Sequence, residues 1–165
     1  MTVDSPAVNG EFLIFKLGTA ELGVDILMVQ EIRVWSGVTA IPNTPDYLKG
    51  VINLRGVIVP IVDLGQRFHN TVRDFDTSTV VIVLHGVVNG KSSMIGLVVD
   101  SVSNVHSVTA ENIKVAPDLG SKIDNQFVSG MATIEDRIVV LLDSAKLLDV
   151  EELFQRANEL TRKAS

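Results

Sequence analysis

The chain contains no cysteine, which removes thiol catalysis, disulfides and cysteine-ligated metal together and fits a reducing compartment. Basic residues are in the minority: 14 Lys and Arg stand against 20 Asp and Glu, for a net charge of −6. That balance argues against wrapping nucleic acid, because phosphate binding draws on clustered Lys and Arg. Long hydrophobic runs are also missing. Although 46% of the residues are hydrophobic, aliphatic runs such as residues 80–84 are short, whereas a spanning helix needs about 20 apolar residues. Residues 1–10 carry Asp4 and no basic start or apolar stretch, so they read as a disordered lead-in and not as a signal peptide.

Reactive constellations are equally sparse. His69, His85 and His106 stand far apart and none begins a metal-ligand spacing, so each is expected in a loop or on the surface. Gly86 and Gly90-Lys91-Ser92 imitate a phosphate-binding loop, but only three residues separate the glycines and a strand pattern follows, so a hairpin tip is expected. No serine sits in a nucleophile elbow. The residues therefore suggest no catalytic site, no cofactor and no metal.

What the chain does contain is an echo. Residues 50–63 open on Gly50, turn at Arg55-Gly56 and close on Asp63; residues 130–143 open on Gly130, turn at Glu135-Asp136 and close on Asp143, with 130 − 50 and 143 − 63 both equal to 80. Upstream, residues 23–29 echo residues 96–102 at a constant offset of 73. A repeat of this length, rich in Val and Ile and punctuated by turns, predicts two copies of one small β unit. Asp25, Asp63, Asp100 and Asp143 recur with the echo, which predicts a shared strand-end role in bonding turn N–H groups. Gly56 is expected to supply the positive φ of a tight hairpin. Pro60, which has no N–H, is expected at a sheet edge or bulge.

The polar stretch between His69 and Ser78 suggests a boundary, giving lobe 1 over about 18–78 and lobe 2 over about 79–143, with the first strand shared. After Leu148 the period changes. Val150, Leu153, Phe154, Ala157 and Leu160 form a one-sided helical stripe, and Asp149 with Glu152 resembles a capping box, so residues 149–165 are predicted to form a C-terminal helix packed on the body.

The segment Asn53-Leu54-Arg55-Gly56-Val57-Ile58-Val59-Pro60-Ile61-Val62-Asp63-Leu64, together with residues 23–33, Asn43-Thr44-Pro45 and Lys49-Gly50, resembles the CheW-like family of bacterial chemotaxis coupling proteins over residues 11–148. The resemblance implies a mainly β fold of two pseudo-symmetric five-stranded Src-homology-3-like barrels. It also implies a non-enzymatic, cytoplasmic adaptor, without membrane insertion, recruited to membrane-associated arrays. Its implied partners are the histidine kinase CheA, through that kinase's regulatory domain, and the cytoplasmic tips of methyl-accepting chemoreceptors. Matching positions imply a partner-binding set of Val29, Glu31, Lys49, Gly50, Arg55, Val102 and Val105. Of these, Arg55 and Glu31 are expected to form an ion pair or neighbouring charges at the coupling surface. By the residues alone, Arg55 would be an ordinary solvated hairpin tip and the valines ordinary core. The rival class is a small ligand-binding or enzymatic β-barrel that uses the groove between lobes as a pocket.

Overall fold

A computed structural model describes residues 10–69, 75–114 and 127–149. Eleven strands run in chain order: β1 (Gly10–Leu17), β2 (Ala20–Asp25), β3 (Val29–Val34), β4 (Leu48–Leu54), β5 (Val57–Asp63), β6 (Val80–Val88), β7 (Lys91–Val99), β8 (Ser101–Val108), β9 (Ile113–Lys114), β10 (Val128–Ile134) and β11 (Arg137–Leu142). Two short helices, α1 (Leu64–His69) and α2 (Ser144–Leu147), follow β5 and β11. Among the described residues no helix is long and apolar enough to cross a membrane. The predicted N-terminal lead-in, apart from Gly10, and the C-terminal helix beyond Asp149 lie outside the described residues.

The echo is a symmetry of pairing. One sheet has the order β3-β6-β7-β5-β4 and the other β8-β1-β2-β11-β10-β9. The parallel contact that joins the two repeat motifs recurs residue for residue, with Ile61 facing Gly96 in one sheet and Leu141 facing Gly23 in the other. Even β9 has a counterpart. It pairs Lys114 with Met131, and an isolated bridge pairs Thr39 with Val51, eighty residues before Met131. The observed architecture is thus two equivalent five-stranded sheets, one of them extended by a two-residue sixth strand.

The sheets do not divide at residue 78/79. The five-stranded lobe takes β3 through β7, while the other is assembled from β1 and β2 at one end of the chain and β8 through β11 at the other. The polar stretch misleads because it connects β5 to β6 within one lobe instead of linking two lobes.

Each sheet encloses its own small core. Phe12, Ile14, Val108, Ala132, Ile134, Val139 and Leu141 fill the six-stranded lobe, and Leu54, Val59, Ile61, Val81, Val83 and Val98 fill the five-stranded one. A larger central cluster joins them, with Leu13, Phe15 and Leu17 from one sheet meeting Ile82, Leu84 and Leu97 from the other. This explains the nearly continuous apolar run of β1. Successive side chains of a strand point to opposite faces, and here both faces are buried.

Pro60 is not at an edge, because β5 lies between β7 and β4, nor at a bulge, because the irregularity of this pair falls between Leu48 and Gly50, opposite Val62 and Ile61. Its opposite residue Val51 directs both its N–H and its C=O to Thr39, each at 2.9 Å, so the Val51–Pro60 pair exchanges no bonds. The imino nitrogen therefore faces the β7 side, where pairing begins only at Ile61, and no ladder bond is lost. His85 and His106, expected in a loop or on the surface, lie within β6 and β8 and are half-buried there. The phosphate-loop imitation is a hairpin in which Val88 pairs with Lys91 across Asn89 and Gly90, both at positive φ.

All four recurring aspartates bond backbone N–H groups. Asp25 accepts from Leu27 N at 3.0 Å and Asp100 from Gly18 N at 2.6 Å. Asp63 accepts from Gln66 N at 3.3 Å and Asp143 from Lys146 N at 3.2 Å, the last two as helix N-caps.

Candidate functional site

The β4–β5 hairpin turns on two residues with positive φ, Arg55 at +50° and Gly56 at +89°, and Gly56 N donates to Asn53 Oδ1 at 2.8 Å. Such a turn favours Asn-Gly. An arginine held left-handed costs about 1–2 kcal/mol, as do Glu135 and Asp136 at positive φ in the repeat hairpin. From the β4–β5 tip the Arg55 guanidinium reaches β3, where Nη2 donates to Glu31 Oε1 at 2.5 Å. Glu31 Oε2 accepts from Arg33 Nη1 at 3.4 Å, so each carboxylate oxygen is met by a different arginine. Arg55 is 68% exposed and Glu31 only 24%. The acid is anchored, and the base is presented to solvent.

A bulge decides which way the neighbouring residues face. Between Val29, opposite Leu84, and Glu31, opposite Val83, β3 advances two residues while β6 advances one. Cross-strand partners share a face. Val29 therefore joins Leu84 on the side of the central cluster, while Glu31 joins Val83 on the side of the five-stranded lobe's own core. Beyond the bulge, Ile32 and Val34 lie opposite Ile82 and Val80, again on the central-cluster side, and remain 47% and 64% exposed.

The edge strand of the other lobe repeats the device. Val102 and Val105 are three apart, which in a regular strand would put them on opposite faces, yet they face Phe15 and Leu13, two apart on β1. The irregularity restores both valines to the central-cluster side. Val102 is half-buried against that cluster, as is its repeat equivalent Val29, and Val105 is 44% exposed.

Lys49 is half-buried on β4. Gly50 has a structural reason of its own. At φ +150° a Cβ here would lie 2.2 Å from the Thr39 carbonyl oxygen, so the bridge from Thr39 to Val51 requires glycine.

The expected residues therefore separate into a charged group at a hairpin tip, Glu31 and Arg55, and an apolar group of Val29, Val102 and Val105 on the edge strands. Sequence reasoning missed Arg33, Ile32 and Val34. The period-2 spacing of Glu31 and Arg33 was available as a signal for the first. The other two read as ordinary strand residues.

One pocket among the described residues has both its carboxylates already engaged. A hollow of about 180 Å³ is lined by Phe12, Met28 and Leu142 with Asp25 and Asp143, whose carboxylates already cap backbone N–H groups. No group of three or more His, Cys, Asp or Glu is placed to hold a metal ion among the described residues. The Asp76 carboxyl, held below its ordinary value by hydrogen bonds from the Ser78 hydroxyl and backbone N–H, belongs to the turn before β6 and not to either group.

The family model described as the CheW-like domain matches residues 11–152. The chain is 49% identical over 146 residues to the chemotaxis protein CheW of Klebsiella aerogenes, covering 88% of this chain and 86% of that protein. It is 37% identical to the probable chemotaxis protein CheW of Rhizobium etli, covering 86% of this chain and 89% of that one. Among solved structures, the scaffolding protein TtCheW of Thermoanaerobacter tengcongensis superimposes with a TM-score of 0.73 at 31% identity, covering 82% of this chain and 90% of that chain.

Proposed function

The chain belongs to the CheW-like domain family, and on that premise we propose that it is a non-enzymatic chemotaxis adaptor that couples the cytoplasmic tips of methyl-accepting chemoreceptors to the histidine kinase CheA. The kinase contact is made through its own CheW-like regulatory domain, and the adaptor is recruited from the cytoplasm to membrane-associated arrays.

The observation that carries this reading is the division of the candidate residues onto two faces. An adaptor needs separate surfaces, not a reactive pocket. On the central-cluster side, Ile32 and Val34 stay exposed on β3 with half-buried Val29, and Val105 stays exposed on β8 with half-buried Val102, which suits contact with an apolar helix face of a receptor hairpin. On the other side, Arg55 is offered at a tip, braced by Glu31, which suits a polar, orientation-setting contact with the kinase domain. Each contact can be weak on its own. Repetition in an array raises the effective concentration of every partner, and signal passes if receptor states differ in the kinase arrangement they favour.

The test is a pulldown of the full chain with a receptor signalling fragment and with CheA, separately and together, followed by kinase assay of the reconstituted complex. Binding to both, with receptor-dependent kinase activity, is expected. A chain that binds neither partner overturns the reading.

A further inference from the structure

The junction between the lobes holds an arginine that the coupling faces do not use. Arg67, on α1, places its guanidinium Cζ 4.7 Å from the ring centre of Tyr47 and 4.9 Å from that of Phe127. The two rings are repeat equivalents, since 127 − 47 is 80. Each stands just before its repeat hairpin and is fixed there by the same backbone bond, Asp63 N to Tyr47 O and Asp143 N to Phe127 O, both 2.8 Å. Phe127 is held further by Phe68, with ring centres 5.9 Å apart. A guanidinium stacked on two immobilised rings has lost most of its freedom to swing.

Three features set Arg67 apart from a packing residue. First, the repeat equivalent of Arg67 is Leu147, which is buried in the central cluster. A leucine closes the seam at one end, and a cation is costlier to desolvate. Second, Arg67 is half-buried and its guanidinium makes no ion pair or hydrogen bond with any described residue. Third, a guanidinium held over two rings by its cation–π contacts still has N–H donors, whose fork matches a carboxylate in two parallel bonds. In a chain of net charge −6, an oriented guanidinium without an ion pair among the described residues is a local exception.

We propose that Arg67, stacked on Tyr47 and Phe127 where the lobes meet, is a recognition site for an aspartate or glutamate side chain of a partner protein. The inference rests on the coupling reading, because it takes the carboxylate to come from one of the two proposed partners. Stacking supplies the pre-organisation, so little rotamer freedom is lost when the acid arrives.

The experiment uses the full chain, a chemoreceptor signalling fragment and the CheA regulatory domain as separate probes. Arg67→Met keeps the apolar stem and removes the fork, and Arg67→Lys keeps only the charge. Titration calorimetry should show Arg67→Met binding one of the two probes at least about tenfold more weakly than wild type. Arg67→Lys should recover little of that loss, because an ammonium cannot form the two parallel bonds. Both probes binding Arg67→Met within about twofold of wild type, or Arg67→Lys restoring full affinity, would overturn the assignment. Should Arg67→Met fold poorly, side-chain NMR on the wild type decides instead. The Arg67 guanidinium N–H signals must shift and exchange more slowly when the probe is added, and unmoved signals refute the site. Wild type binding neither probe refutes the coupling reading itself, and is told apart by the wild-type titration alone.

Discussion

Glu31 and Arg55 meet at 2.5 Å across the gap between β3 and the β4–β5 tip, 24 residues apart in the chain, with the acid largely covered and the base largely free. An ion pair this exposed contributes about 0 to 1 kcal/mol to folding. Arg55→Glu should leave the thermal melt close to wild type. At a binding surface, however, the same change sets like charges together and can cost several kcal/mol. Kinase coupling in reconstituted complexes should therefore fail while folding survives. Adding Glu31→Arg should restore part of it, and a double-mutant cycle gives the coupling energy. Wild-type coupling by Arg55→Glu would remove the residue from the site.

Gly50 separates a structural requirement from a binding one. Alanine there adds backbone strain at φ +150° and a Cβ 2.2 Å from the Thr39 oxygen, for a loss of roughly 2–4 kcal/mol. Calorimetric melting should show a drop of several degrees. An unchanged melt with lost binding would return Gly50 to the partner surface.

Removing the carboxylate cap in Asp143→Ala should cost about 1 kcal/mol, with Asn or Ser restoring most of it. The loss should be local. The amides of Leu147 and Leu148, which bond Asp143 O and Ser144 O at 3.2 and 3.0 Å, should exchange faster with solvent, while those of β6 keep their protection. Uniform acceleration throughout the chain would mean that the cap governs global stability instead.

Asp76 gives a pH dependence of known sign. Its carboxyl is held below the ordinary value of 3.8, first by the Ser78 hydroxyl. A depressed folded pKa means that the charged form stabilises the turn above the unfolded value, and that this contribution is lost as pH falls through the folded one. NMR titration should place the Asp76 midpoint below 3.8, and Ser78→Ala should raise it towards the ordinary range. A midpoint that Ser78→Ala leaves in place would refute the cause.

Much of the fold was legible because the repeat is written in residues whose roles are local. Glycines, turn pairs and strand-end aspartates announce their own geometry, and the offsets of 80 and 73 carried over into the pairing. The division of the lobes was not legible, since which strand joins which sheet depends on non-local pairing of β1 with β8 and β2 with β11. Pro60 misled for a similar reason. The direction of one missing N–H is set by Thr39, twenty-one residues away. At the candidate site, the proximity of Glu31 and Arg55 was anticipated. The separation of Val29 from Glu31 was not, because a bulge at Gln30 cannot be read from alternation.

The arrangement of lobes along the chain fixes an order of events during synthesis. Every strand of the five-stranded lobe lies between Val29 and Val99, so that lobe has all its partners as soon as one continuous stretch has left the ribosome. β1 and β2 can pair with each other early, but their outer neighbours β8 and β11 end only at Val108 and Leu142. Until then the Phe12 to Phe15 run, apolar on both faces, has only part of its cover, and it is where a nascent chain of this kind is most open to chaperones and to mispairing with another copy.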